Sequence, residues 1–272
     1  MTITDSDKHQ FLETVWEQYR KYGRRDLPWR APELDGHFDP YKILVSELML
    51  QQTQVTRVIP KFTDFITRFP STAALSMAPL GEVLRAWQGL GYNRRAKFLH
   101  LAAHWVQDQS GFPQTLERLT ELPGVGVNTA GAILAYAYNQ PAIFVETNIR
   151  TVYFYHFFQD VEQVSDAAIG GLLEQTIDHE NPREFYWALM DYGAQLKTEV
   201  RNVAQSRHYT RQSTFAGSRR QIRGRVMREL ASRDITATGL AKLIDDPRLA
   251  GVLDDLVAEA LIVRRSGVYA LD

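Results

Sequence analysis

A chain of 272 residues that is 44% hydrophobic has the apolar content for a packed core, and 31 lysines and arginines against 32 acids exclude a bulk polycation. It contains no cysteine, which excludes disulfides, thiolate metal sites, a cysteine nucleophile and a cysteine-ligated iron–sulfur cluster. No apolar run reaches the roughly 18 residues of a membrane span, and MTITDSDKHQF lacks the basic-then-apolar pattern of a secretory signal, so a cytoplasmic protein is expected.

Apolar spacing predicts helices along most of the chain. Phe11, Val15, Trp16 and Tyr19 form the first stripe, with Ser6 as its N-cap. After the loop APELDGHFDP a helix is expected from Tyr41 to about Val58, with Pro60 restarting the chain. Further helices are predicted near 60–69, 72–77, 79–87, 93–108, 114–120, 127–138, 147–157, 165–178 and 182–197, joined by short connections rich in Gly, Pro, Asn and Asp. Residues 201–217 read as a basic linker. Beyond it, Ile222, Val226 and Leu230 mark a helix, Thr238 to Ile244 a short second one, and Leu249, Val252, Leu253, Leu256 and Val257 a third. LIVRR and VYAL then flank Ser266-Gly267 as a tight hairpin, which completes the order of a winged helix. The third helix of that module carries Asp254, Asp255 and Glu259, poor groove partners, so DNA contact and a packing role stand as equal alternatives for it.

The small net charge hides an uneven distribution. Residues 201–233 carry nine arginines, Arg207 and Arg211 among them, against the single acid Glu229. Smaller clusters are Arg94, Arg95 and Lys97, and Arg20, Lys21, Arg24 and Arg25. One such cluster reads as a solvated face, whereas three beside the motifs below favour phosphate binding.

Leu122-Pro123-Gly124-Val125-Gly126 precedes a helix that begins near Val127 to Thr129. Two glycines one residue apart allow a tight turn and close backbone approach, and the free N–H groups of the following helix suit a phosphate. Alone, the segment is also an ordinary helix–helix turn. Glu47 lies among Ile43, Leu44, Val45, Ser46, Leu48, Met49 and Leu50, where desolvation raises a carboxyl, although the same position also fits the solvent face of an amphipathic helix. Glu146, followed by Thr147 and Asn148, stands near a helix start, where an acid also simply favours the dipole. His100 and His104 are spaced for a metal on one helix face, but no third ligand is evident and no metal site is expected.

In order, Leu27-Pro28-Trp29-Arg30, SELMLQQTQV (46–55), WQGLGYNRRAKFLH (87–100) and LPGVGVNTAGAILAYAYNQPAIFVETNIRTV (122–152) resemble the MutY branch of the helix-hairpin-helix DNA glycosylases, the superfamily of endonuclease III. The resemblance spans about 8–198. It implies an all-α two-lobed helix-hairpin-helix core, here with a small winged-helix-like module at the C-terminus. One lobe is expected from 1–30 plus 141–200, the other from 31–140, with the module over 218–272. The implied activity is hydrolysis of the N-glycosidic bond of a base flipped from the duplex. Adenine opposite 8-oxoguanine or guanine is the first substrate expected. A mismatched uracil or thymine, a modified base, or lesion binding without catalysis are the alternatives.

The resemblance also assigns roles. Glu47 matches the general acid that protonates adenine N7. Glu146 matches the acid that stabilises the sugar cation or captures it, where the family's usual residue is Asp; the longer side chain displaces the carboxylate by roughly 1.5 Å, and an error of that order is enough to cost about a hundredfold. Asn148 matches the residue supporting that acid. Asn128 stands where bifunctional enzymes carry a Schiff-base lysine, so a monofunctional enzyme is expected. Gln51 and Gln52 match the duplex wedge, Tyr92 a residue that stacks into the helix, and Leu90 its aid. Leu122, Gly124, Val125, Gly126 and Thr129 form the backbone grip, with Arg94, Arg207 and Arg211 on phosphates. Four cysteines usually follow Met190-Asp191-Tyr192-Gly193-Ala194 in this family; here the arginines after Lys197 are expected to take over the organisation of that loop. No cofactor is expected, beyond a monovalent cation at the hairpin. The expected partner is duplex DNA bearing a mispaired or damaged base, bound by a monomer at the nucleoid, with no membrane.

Overall fold

The structure, a computed structural model, describes residues 2–109, 111–159, 161–200, 203–207 and 214–272. The chain begins with α1 (Asp5–Tyr22), α2 (Pro40–Leu50), α3 (Val55–Arg68), α4 (Thr72–Met77), α5 (Leu80–Ala86) and α6 (Arg94–Gln107). It continues with α7 (Leu116–Thr120), α8 (Val127–Tyr138), α9 (Thr147–Phe157), α10 (Asp166–Thr176) and α11 (Pro182–Glu199). The C-terminal part is α12 (Arg219–Ser232), β1 (Ile235–Thr236), α13 (Ala237–Leu243), α14 (Leu249–Ala258), β2 (Ile262–Arg265) and β3 (Val268–Leu271). The strands form one antiparallel sheet in the order β1-β3-β2, turned at Ser266 and Gly267, both with φ positive. A helical chain with a C-terminal winged-helix order is what the sequence predicts; the two-residue β1 and the 3-10 turns Pro28–Arg30 and Val203–Gln205 are elements it does not.

Two starts differ from expectation. Thr4 caps α1 in place of Ser6, because Asp7 lies three residues on and closes a capping box with it. The helix expected over 41–58 breaks after Leu50, and Pro60 lies inside α3. Arg95 accounts for the break. Its guanidinium donates to the carbonyls of Leu48 (2.5 Å), Met49 (3.2 Å) and Gln51 (2.6 Å), oxygens that a longer helix would have used, and to those of Leu90 (3.2 Å) and Gly91 (3.1 Å). Gln52 turns the chain at φ +54. Arg95 is therefore a buried clamp joining two loops, not a phosphate ligand; burial lowers its pKa to about 10, which leaves it charged at neutral pH. Lysine reaches fewer of these carbonyls, so Arg95→Lys is expected to cost about 2 kcal/mol, read as a lower melting temperature.

The chain divides into two compact units, Met1–Leu44 with Pro113–Glu121 and Val125–Arg211, and Val45–Phe112 with Leu122–Gly124 and Gln212–Asp272. This differs from the expected lobes in placing α7 and α8 with the first unit and grouping the winged-helix segment with the second. The cause in each case is burial. Residues Thr129 to Ala137 of α8 are all buried, and the helix packs on α11; α12 and β3 pack on α5.

In the first unit, α11 lies against α9 and α1 over an aromatic core that includes Phe11, Tyr153, Phe154, Phe185 and Tyr186. Leu27-Pro28-Trp29-Arg30 is a short 3-10 turn that drives Arg30 inward onto Asp191, with Nη1 to Oδ2 at 2.7 Å and Nη2 to Oδ1 at 3.0 Å. Arg24 reaches the same carboxylate at 2.8 Å, so one basic cluster is partly consumed by the core. Burial works to raise the Asp191 carboxyl, but the Arg30 hydrogen bonds and the two arginine charges outweigh it and hold it below the ordinary value. The expected linker is not a free tether throughout. Val203–Gln205 is a 3-10 turn, Ser206 bridges Val164, and the Gln205 amide donates to the carbonyls of Phe158 and Gln159.

In the second unit, two of the acids that argue against a groove role, Asp255 of α14 and Glu259 just after it, pair with arginines of α12. Asp255 accepts from Arg219 at 2.6 Å and Glu259 pairs with Arg223 at 2.6 Å. Lys97 donates to the Glu259 carbonyl at 2.7 Å and Gln88 to that of Met227 at 3.3 Å. Two of the arginines of 201–233, Arg219 and Arg223, are thus paired with acids distant in sequence.

Candidate functional site

At the helical hairpin, Gly124 has φ +80, and a Cβ there would fall 2.7 Å from Cβ of Phe98, so the turn takes glycine on two counts. Leu122, Val125 and Thr129 are buried and anchor the turn, while Gly126, Val127 and Asn128 are exposed. Gly126 is the N-cap of α8 and offers no side chain to its first N–H groups. Asn128 does more than stand in for a lysine. Its Nδ2 donates to the Val145 carbonyl at 3.1 Å and its Oδ1 accepts from the Val145 N–H at 3.3 Å, which ties the head of α8 to the residue before Glu146.

Glu146 is the N-cap of α9 but makes no side-chain capping bond, so its carboxyl is not spent on the helix. The residue keeps some exposure while its carboxyl has protein packed about it. Burial pushes that carboxyl above the ordinary value; the charges of Arg150 and Lys197 pull it back. Arg150, one turn along α9, is gripped by Asp166 at 2.7 and 2.6 Å. Asn148 does not cap the helix; its Oδ1 accepts from Lys197 Nζ at 2.5 Å. Arg150 and Lys197 are charged neighbours of Glu146 that the motifs do not reveal, although the i, i+4 spacing of Glu146 and Arg150 is a signal for the first.

The second unit holds the other expected residues. Glu47 is half-buried on α2, with Ser46, Leu48 and Met49 buried beside it. Gln51 and Gln52 are exposed at the turn that follows, held from behind by Arg95. Tyr92 is 42% exposed with φ +47, and its hydroxyl accepts from Arg220 of α12 at 3.2 Å. Arg95 therefore brings the 51–54 and 90–95 loops together. Leu90 does not join the exposed set. It is 3% exposed, its side chain is core, and only its carbonyl serves the loops, so it is not an aid to Tyr92. Arg94 is exposed with its guanidinium 5.6 Å from the Phe98 ring centre. Arg207 is exposed in the first unit, and Arg211 lies outside the described residues.

His100 bonds the Ala78 carbonyl at 2.9 Å, and among the described residues no three His, Cys, Asp or Glu side chains gather for a metal. No described helix is long and apolar enough to cross a membrane. A chain without cysteine offers no thiolate for an iron–sulfur cluster, so the residues present do not fit that group.

Residues 45–168 match the family described as HhH-GPD superfamily base excision DNA repair protein. The chain is 34% identical over an alignment of 278 residues to an adenine DNA glycosylase of Mycobacterium tuberculosis (strain ATCC 25618 / H37Rv), covering 91% of this chain and 89% of that protein. It is 36% identical over 190 residues to one of Buchnera aphidicola subsp. Baizongia pistaciae, covering 68% of this chain and 52% of the relative, about half its length. Among solved structures it resembles a thermostable thymine-DNA glycosylase, at TM-score 0.61 and 25% identity over 70% of this chain and 87% of the other. The fold also matches endonuclease III in a trapped DNA complex, at TM-score 0.57 and 18% identity over 70% and 85% of the two chains.

Proposed function

The chain belongs to the adenine DNA glycosylase family of the HhH-GPD superfamily, and from that premise we propose that it removes adenine mispaired with 8-oxoguanine or guanine from duplex DNA, by hydrolysis of the N-glycosidic bond. The observation that carries this reading is Glu146: a carboxyl free of capping duty, among packed protein, with cations of α9 and α11 acting on it. Glycosidic hydrolysis needs negative charge against an oxocarbenium-like sugar and a proton on the departing base. Glu146 supplies the first, as a stabiliser or by transient capture of the cation, and Glu47 the second at adenine N7. Two carboxyls in different surroundings suit this division. The exposed Gln51, Gln52 and Tyr92 fill the gap left by the flipped base, while the N–H groups at the start of α8 and the exposed Arg94 and Arg207 hold phosphate.

Asn128 has no amine to form an imine, so strand cleavage through that position is not part of the reaction. We further propose that the enzyme acts as a monomer at the nucleoid and without an iron–sulfur cluster. A second reading, release of thymine or uracil from a mismatch, takes support from the likeness to a thymine-DNA glycosylase.

The test is base release from labelled duplexes containing adenine opposite 8-oxoguanine, adenine opposite guanine, a thymine–guanine mismatch, or uracil. Adenine release with the strand left intact until alkali is added is the expected result. Thymine or uracil release in its place would move the assignment to the second reading, and tight binding with no release from any duplex would make the protein a lesion binder.

A further inference from the structure

We propose that Lys197 is a positioning residue for base release: its ammonium, seated on the Asn148 amide, is, beside Arg150, a counter-charge against which the Glu146 carboxylate is held. The inference rests on the role given to Glu146 above. Its geometry starts at Gly193. A Cβ there would fall 2.2 Å from the Asn148 carbonyl oxygen, so a glycine lets α11 press its backbone onto the first turn of α9. One turn further along α11, on the same face, stands Lys197. That spacing delivers Nζ to Asn148 Oδ1 at 2.5 Å, two residues from Glu146.

Among the described residues α1, α10, α11 and the turn Val203–Gln205 pack on α9, α1 through the uncharged ring of Phe11 against Tyr153, His156 and Phe157. The turn has no ionisable side chain. From α10, Asp166 meets Arg150 in a two-point ion pair and absorbs much of that cation's field. Lys197 has no ion pair within 4 Å among the described residues. Arg150 exerts the larger pull on Glu146 and Lys197 adds to it; of the two, Lys197 is the less committed, and across packed protein an unpaired charge acts beyond contact distance. The titration tendencies agree. Burial lowers the Lys197 ammonium and raises the Glu146 carboxyl, and each charge opposes the shift of the other.

The test follows Glu146 directly in the full-length protein, by carbon-13 NMR of glutamate side-chain carboxyls, with the resonance assigned by its loss in Glu146→Gln. Lys197→Met removes the charge and keeps most of the stem; Lys197→Arg keeps the charge. The Glu146 midpoint is expected to move to higher pH in Lys197→Met and to stay near wild type in Lys197→Arg. The rising limb of the pH profile for base release should move the same way, with about a tenfold loss near neutral pH that is recovered as pH is raised. A midpoint unchanged in Lys197→Met, or displaced equally in Lys197→Arg, overturns the proposal. If Lys197→Met does not fold, Lys197→Gln takes its place. Should wild type release no base, the proposed function fails while the midpoints still decide this one.

Discussion

Glu146→Gln is expected to lower single-turnover base release by about a hundred- to a thousandfold while duplex affinity stays near wild type, because it deletes the negative charge opposite the developing sugar cation and almost nothing else. The amide has the same shape, and the first turn of α9 loses no cap, since the carboxyl makes no capping bond. The pH dependence has a definite sign. Burial raises the carboxyl and the charges of Arg150 and Lys197 only partly offset it, so wild-type release should climb with pH as the carboxylate forms, and Glu146→Gln should lack that limb. A carboxyl raised by folding binds its proton more tightly in the folded chain than in the unfolded one. Its stabilising contribution is whole below the ordinary carboxylate value and is lost as pH rises through the raised one. At neutral pH the ionised side chain is therefore a cost, and the neutral variant should melt no lower than wild type. Activity within tenfold of wild type, in a variant that folds and binds, would remove Glu146 from the chemistry.

The hairpin turn, the helix start after Glu146 and the C-terminal wing can be read from the chain because each rests on a local rule: a turn, a helix start, an alternating strand pair; the roles of Glu146 and Asn148 rest on the resemblance instead. The clamp cannot be read from a local rule. Arg95 sits in a run of basic residues, and its bonds to Leu48, Met49 and Gln51 join segments more than 40 residues apart, so counting charge in a window mistook a core residue for surface. Arg219 and Arg223 misled in the same way, since their partners Asp255 and Glu259 lie on and just after another helix. The break after Leu50 has the same origin, because apolar spacing runs on through a turn whose free carbonyls Arg95 takes up. Leu90 failed differently. The motif fixes its place in the loop but not which way its side chain faces, and an apolar residue defaults to the core.

Glu47→Gln separates the two substrate readings. Adenine is a poor leaving group as an anion, and a proton at N7 makes it a neutral one, so its release depends on a positioned acid. Glutamine cannot deliver that proton, and a loss of about a hundred- to ten-thousandfold on adenine duplexes is expected, with affinity for a duplex carrying an uncleavable analogue preserved. Uracil and thymine depart with their negative charge spread over ring carbonyls and need stabilisation of that charge more than a proton, so their release should survive the change. Glu47 is half-buried between buried residues near the end of α2, close to the turn that carries the exposed Gln51 and Gln52. A change at that position touches base flipping as well as proton delivery, and two measurements tell these apart. Slow flipping lowers release of every base and the fluorescence response of a 2-aminopurine placed at the target. Loss of the proton lowers purine release alone, with the flipping signal intact, and that second pattern is the one the adenine reading requires.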